Sequence, residues 1–251
     1  MTSLGAFDPG GYAYIPGPFQ YSGGVAAARG YRVERARLAR DLPLAEGFAR
    51  IESHLRALGR RPTSFCACEL HSPAPFTEAG FIEFNKLYVG TLERWGIVRE
   101  GVNPVARSNT CPAVGPPAAP SLHAFSYTMP DPGAGKGFVV AGSGEAPEGA
   151  GGYQARMIAP GDVSAAGLRR KAEWVVGEME RRLGLLGAGW VAVTATQVYP
   201  VHDLHPFLAD AIVARGAARH GLTWHLNRPP VEGLEFEMDC RGVTLERMLA
   251  V

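Results

Sequence analysis

Nothing in this 251-residue chain approaches the ~18 consecutive apolar residues of a membrane-spanning helix, which excludes a transmembrane helix. Charge of one sign is missing too. A formal net charge of +1 offers no basic patch or stripe for nucleic acid or a membrane surface, so neither is an expected partner. The first residues, Met1 to Asp8, lack the basic region and apolar stretch of a secretion signal, and a cytoplasmic protein is expected. Cysteine is sparse, at positions 66, 68, 111 and 240. Cys66 and Cys68 alternate to one face of an apparent strand and are poorly placed to bridge each other, so reduced thiols are expected. With nearby His71 they form no Cys-x-x-Cys pair, and His202 and His205 have no third ligand in step; no metal is expected. Gly133-Ala134-Gly135-Lys136-Gly137 lacks the spacing and the Ser/Thr of a phosphate loop and precedes a strand. No Gly-x-Ser-x-Gly elbow supplies a hydrolase nucleophile.

What is present is an apolar content of 46% beside 20% charge, enough for a real core. The order of elements reads as one unit repeated. In the first half, a strand over 19–25 breaks at Ser22-Gly23-Gly24 and a second alternates over 31–38. A helix follows with Phe48, Ile51, Leu55 and Leu58 on one stripe, stopped by Gly59. Next come a strand over 65–70, a helix bearing Phe81, Phe84, Tyr88 and Leu92, and strands near 105–110 and 122–128. The second half repeats this through a strand over 138–144, a returning strand over 154–158 and a helix with Ala172, Val175, Met179 and Leu183. A strand over 191–199, a helix from Asp203 to Gly221 and strands over 222–227 and 234–240 close it. Ser22 and Ser143 stand 121 positions apart and Gly59 and Gly187 stand 128 apart, a period too long for a solenoid. The expectation is an α+β protein of two tandem domains, residues 1–130 and 131–251, joined by a linker over 130–136. Each domain would be a mixed sheet with two helices packed on one face.

Several short motifs recur in the order found in the Rid superfamily, the RidA/YjgF-like proteins. In the first half these are Tyr21-Ser22-Gly23-Gly24, Phe84-Asn85-Lys86-Leu87-Tyr88 and Pro104-Val105-Ala106-Arg107-Ser108. In the second they are Ser143-Gly144-Glu145-Ala146-Pro147 and Leu234-Glu235-Phe236-Glu237. The chain resembles that superfamily, and within it the group of 2-aminomuconate deaminases, some of which act on 2-amino-5-chloromuconate. The resemblance implies Rid-like (chorismate-mutase-like) domains, a homotrimer presenting six of them, and sites between neighbours. It also implies cofactor-independent hydrolysis of an enamine or imine acid with release of ammonia. Departures from the pattern divide the chemistry. The first half keeps the arginine but offers only His123 where a glutamate is expected, and the second keeps the carboxylates without the arginine. Chorismatases, distantly similar, leave a chorismate hydrolase as an alternative, and a non-catalytic metabolite-binding protein is another.

Arg107, at the end of a strand, has the planar fork that grips a carboxylate bidentately; the alternative is a surface salt bridge. Glu235 and Glu237 alternate to one face of a strand whose other face carries Leu234, Phe236 and Met238. Either could manage the proton of an attacking water, Glu237 by the resemblance and Glu235 by a shift of register, or both could line a solvated face. Glu69, on a central strand, is costly unless paired, so it either replaces the missing carboxylate or meets an arginine. Tyr21, Ser22, Gly23, Ser108, Asn109, Ser143 and Gly144 are candidate substrate-binding positions, the glycines through close backbone approach or else for a tight hairpin. Asn85, on a core-facing helix, is a candidate of the same kind or a structural residue. The expected ligand is a small carboxylic acid.

Overall fold

A computed structural model describes residues 3–133, 137–149 and 152–250. The strands are β1 (Gly5–Phe7), β2 (Tyr12–Ile15), β3 (Gly24–Ala27), β4 (Tyr31–Pro43), β5 (Phe65–His71), β6 (Ala106–Pro112), β7 (Ser121–Pro130), β8 (Phe138–Gly144), β9 (Ala195–Val198), β10 (Thr223–Trp224), β11 (Asn227–Arg228), β12 (Glu237–Gly242) and β13 (Glu246–Leu249). The helices are α1 (Leu44–Ala57), α2 (Glu78–Arg94), the single turn α3 (Tyr153–Arg156) and α4 (Ala165–Leu185). Short helical segments, one of them π-helical, follow over His205–Phe207, Leu208–Ile212 and Val213–Arg215.

The long helices form where the apolar stripes lie. Phe48, Ile51 and Leu55 of α1 and Phe81, Phe84, Tyr88 and Leu92 of α2 are buried in one core, and Ala172, Val175, Met179 and Leu183 of α4 in a second. The chain leaves α1 through Gly59, whose φ of 67° an L side chain rarely adopts. Thr77 and Ser164 cap α2 and α4 by accepting the backbone N–H groups of Gly80 and Gly167. No helix among the described residues is long and apolar enough to cross a membrane.

Pairing between strands departs from the tandem reading. One sheet runs β1-β2-β3-β8-β12-β9-β10 and the other β11-β6-β5-β7-β4-β13. The first therefore joins the N-terminal β1–β3 to the C-terminal strands through β3 and β8, where Val25 sits opposite Val139. The second takes in β13, which runs parallel to β4, and β11, which pairs with β6. Strands cross the 130/131 boundary in both directions. Two tandem Rid-like domains, each with its own sheet, are accordingly corrected to a mixed α/β fold of two large interleaved sheets with few helices. Alternation along a strand specifies which face it buries, whereas the edge it joins is decided by long-range partners the alternation does not encode.

Smaller corrections have local causes. Residues 154–158 form no returning strand, because Tyr153–Arg156 takes a helical turn. The expected helix over 203–221 is broken into short segments of different pitch, and only Thr223–Trp224 and Asn227–Arg228 of the next region are extended. The last of the family-like strands begins at Glu237 and not at Leu234. Ala134, Gly135 and Lys136, on which the linker and phosphate-loop readings bear, lie outside the described residues.

Helix α4 packs on β8 and β12, and α1 on β4 and β7, which puts helices on the outer faces. Between the sheets lies a polar layer. Glu69 of β5 receives both arms of Arg35 at 2.6 Å, and Ser108 of β6 donates to Asp239 of β12 at 2.5 Å. Tyr199 donates to Asp239 at 2.7 Å, and Arg241 to the Gln197 oxygen at 3.0 Å. Saturating these groups is what lets them occupy the interior.

Candidate active site

Arg107 projects from β6 and is 3% exposed. Its Nη1 donates to the Asn85 side-chain oxygen on α2 at 2.6 Å. Four aromatic rings surround the guanidinium, Tyr88 at 4.9 Å, Tyr21 at 5.3 Å, Phe81 at 5.5 Å and Phe84 at 5.7 Å. No carboxylate forms a salt bridge with it among the described residues. Desolvated cation–π contacts contribute about 2 kcal/mol or more, enough to hold the ion in place, but they add no negative charge. The site therefore keeps a fixed cation that an incoming anion can neutralise.

Glu237 enters the same chamber from the start of β12. Its side chain makes no hydrogen bond among the described residues, and it is 4% exposed. Burial pushes its carboxyl well above the usual range, Asp239 pushes it further, and Arg107 pulls it partly back. Such surroundings favour the neutral carboxyl, the form that can donate a proton. Gly142 of β8 makes room for it, since a Cβ there would collide with Glu237 Oε1 and press on Ser108. Glu145 sets the approach. Its carboxylate accepts the backbone N–H groups of Glu235 at 2.7 Å and Phe236 at 3.1 Å, and is held by Lys171 Nζ at 3.1 Å. Lys171 and Glu145 are both wholly buried.

A second cation reaches the chamber from α4. Arg182, 2% exposed, pairs with Glu178 at 2.7 Å and Glu148 at 3.2 Å and donates to the Ala141 carbonyl at 3.2 Å. The inner chamber, about 50 Å³, is completed by Tyr21, Asn109, Ser143, Gly144 and Tyr153, with Phe81, Val231 and Leu234 as apolar wall. It adjoins a vestibule of about 360 Å³ that shares Tyr21, Phe81, Glu148 and Tyr153 and extends past Glu78, Ile82 and Arg156. A small elongated acid fits that outline: a charged end at Arg107, apolar flanks, and an acid at Glu237.

The candidates from sequence divide sharply. Arg107, Glu237, Tyr21, Asn109, Ser143 and Gly144 line the chamber, and Asn85 touches it through Arg107. Asn85 and Asn109 each keep a buried amide nitrogen without a partner among the described residues. Glu235 lies outside the lining and pairs with His202 at 2.8 Å and Arg228 at 3.6 Å. Glu69 is elsewhere, in the polar layer, where burial would raise its carboxyl but the clasp of Arg35 holds it well below the ordinary value. Ser22 is a fold residue, its hydroxyl donating to the Pro104 carbonyl at 3.1 Å and its N–H to the Val105 carbonyl at 2.8 Å. Gly23 donates its N–H to the Ile15 carbonyl, and Ser108 is committed to Asp239. Sequence reasoning missed Arg182, Glu145, Lys171, Glu148 and Tyr153. The available signal was position: Lys171 falls in step with Leu168, Ala172 and Val175, and Arg182 with Met179 and Leu183. Cations on a core-facing stripe need a partner.

The chain is similar to proteins already known. The family described as 2-aminomuconate deaminase CnbZ matches residues 4–247. A Comamonas testosteroni protein described as 2-amino-5-chloromuconate deaminase is 51% identical over 251 residues, spanning 99% of this chain and 100% of that one. Among solved structures, a chorismatase superposes with a TM-score of 0.51 at 12% identity, over 96% of this chain and 79% of the other. At that identity the likeness concerns the fold. It extends across both interleaved sheets, in keeping with the correction of the tandem reading.

Proposed function

Since the chain belongs to the 2-aminomuconate deaminase CnbZ family, we propose that it hydrolyses an enamine or imine dicarboxylate of the 2-aminomuconate type, the 5-chloro derivative included, releasing ammonia without a cofactor. The observation that carries this reading is one chamber holding an arginine with no carboxylate partner among the described residues and a buried carboxyl that makes no hydrogen bond there and whose burial favours its neutral form. Arg107 binds one substrate carboxylate through its fork, and the aromatic cage keeps water from competing. Arg182 also lines the chamber but is already paired with Glu178 and Glu148, so the diacid in this reading comes from the relatives' substrates.

The steps balance on a single carboxyl. Glu237 in its neutral form protonates the enamine carbon, giving an iminium and a glutamate anion. That anion takes a proton from water as the water oxygen bonds to the C=N carbon, giving a carbinolamine and restoring the acid. The acid then protonates the amine, the C–N bond breaks, and the hydroxyl proton returns to Glu237 as the carbonyl forms. One water enters and one ammonia leaves. General acid–base work of this kind contributes roughly 10²- to 10⁴-fold, and holding the diacid in place adds a proximity effect.

The lining residues named above all belong to one chain. A homotrimer is part of this proposal, and a solution mass of a single chain would remove it without altering the pocket. The test is ammonia release from freshly generated 2-aminomuconate, with chorismate as the competing substrate. Stoichiometric ammonia from wild type and at least about 10²-fold less from Arg107→Ala supports the reading. Chorismate cleavage alone overturns it in favour of a chorismatase-like hydrolase. Thermal stabilisation by the diacid without turnover favours a metabolite-binding protein.

A further inference from the structure

Away from this pocket, and independently of the deaminase reading, three adjacent strands converge on a second constellation. Asp41 of β4 faces two imidazoles at once. His71 Nδ1 of β5 lies 2.7 Å from one carboxylate oxygen, and His123 Nδ1 of β7 lies 2.9 Å from the other. The rings stack at 4.3 Å between centroids with planes 30° apart, and the donor atoms all lie within 4.8 Å of one another. None of the three residues lines the chamber of Arg107 and Glu237.

The backbone is arranged around this cluster. The β4–β7 ladder passes from Arg37 opposite Ala124 to Leu42 opposite Leu122, leaving Asp41 in the irregular stretch and His123 alone across from it. The β5–β7 ladder slips at the same place, passing from Glu69 opposite Ala124 to Leu70 opposite Leu122, so His123 is again the extra residue. Bulges re-aim side chains and gather beside functional sites. Here two breaks coincide, and they turn the Asp and one His toward the other.

A plain ion pair explains this poorly. One carboxylate needs one imidazolium, and two protonated rings stacked over a single aspartate would repel each other. We propose that Asp41, His71 and His123 form a binding site for a divalent cation of the zinc class. Two neutral imidazoles and a carboxylate are the donor set that Zn²⁺, Co²⁺ and Ni²⁺ take, in preference to Mg²⁺ or Ca²⁺. In a tetrahedral site with bonds of about 2.0–2.1 Å, neighbouring donors stand ~3.3 Å apart. The two histidine nitrogens lie 2.7 and 2.9 Å from different carboxylate oxygens and all donor atoms lie within 4.8 Å of one another, so an ion is admitted by turning the carboxylate and spreading the donors, side chains that are 14–27% exposed. Three protein donors leave a further position for water or an anion. His123 lines a cleft of about 320 Å³ with Arg35, Arg37 and His225, and His225 Nε2 is buried without a hydrogen-bond partner among the described residues.

The experiment adds Co²⁺ to the chelator-treated full-length protein, reading the visible d–d absorption of the bound ion and the metal content per chain. One equivalent, displaced by Zn²⁺ and weakened at least about 100-fold in both His71→Gln and His123→Gln, is the expected result. Asp41→Asn keeps the size of the side chain, so a metal-free melting temperature like that of wild type with loss of cobalt binding supports the site even where a histidine variant folds poorly. His202→Ala with His205→Ala should leave uptake unchanged. No uptake by wild type overturns the proposal, as does uptake that persists in Asp41→Asn or in both histidine variants.

Discussion

Two interior regions of this molecule each bring arginine and carboxylate together, and they differ in how completely the groups are satisfied. In the polar layer between the sheets, Glu69 takes both arms of Arg35, Arg241 spans Glu246 and Gln197, and Asp239 accepts from Ser108 and Tyr199. In the chamber, Arg107 is caged by rings with no acid partner, and Glu237 makes no hydrogen bond among the described residues. The first region spends its polar groups on one another and holds the sheets in register. The second leaves a cation and an acid available to a ligand. Residue type does not separate the two; the partner count does.

The sharpest way to break this contrast is kinetic. Glu237→Gln should lower kcat for 2-aminomuconate by roughly 10²- to 10⁴-fold with little change in melting temperature, measured by continuous ammonia assay and calorimetry. Unaltered kcat would place the chemistry elsewhere. In the polar layer the balance should reverse. Glu69→Gln leaves Arg35 buried and half-paired, and breaking such a pair costs about 3–5 kcal/mol of unfolding free energy, read by urea titration. The fraction that still folds should keep the wild-type kcat.

The two regions should also respond to pH with opposite sign. Burial raises the Glu237 carboxyl above its ordinary 4.5. Its contribution to stability is therefore full below that value and is lost as pH rises through the folded pKa, a tenfold difference in proton affinity between folded and unfolded chain being worth about 1.4 kcal/mol. Glu237→Gln should gain stability relative to wild type as pH increases above 4.5, and wild-type kcat should fall over the same pH window as the neutral acid is lost. At Glu69 burial works against the charged form, but Arg35 overrides it and lowers the carboxyl from 4.5. Its contribution is present above 4.5 and fades as pH falls through the folded value, so the penalty of Glu69→Gln should shrink in acid. Parallel pH profiles for the two variants would erase the distinction. The smallest effect belongs to Glu235, partly exposed beside His202 and Arg228: Glu235→Gln should cost under about 1 kcal/mol and leave kcat unchanged.

Much of the chamber could be read from short motifs. Arg107 stands out at the end of an apolar run, and Glu237 alternates with Phe236 and Met238, which lie in the core of α4. Register separated Glu235 from Glu237 only in three dimensions, because both face the same way on an ideal strand and the strand begins at Glu237. Glu69 illustrates the opposite limit. Its cost on an inner strand was legible, but whether it served a ligand or an arginine depended on Arg35, 34 positions away in the chain. Arg182 and Lys171 were hidden in a helix whose stripe looked ordinary, since their partners Glu148, Glu178 and Glu145 converge only after folding. The cluster of Asp41, His71 and His123 was beyond reach for the same reason, being assembled by two ladder irregularities.

By itself the sequence determined the helices α1, α2 and α4, the apolar faces of the main strands, and the presence of an arginine beside an apolar run and of strand-borne carboxylates. Those follow from periodicity and residue chemistry, which act over a few positions. Only the tertiary structure decided that β3 joins β8, that β13 joins β4, and that Arg107 and Glu237 line one chamber whose lining does not include Glu69. Strand pairing and the matching of buried charges are contests among distant segments, settled by which arrangement leaves the fewest polar groups unsatisfied.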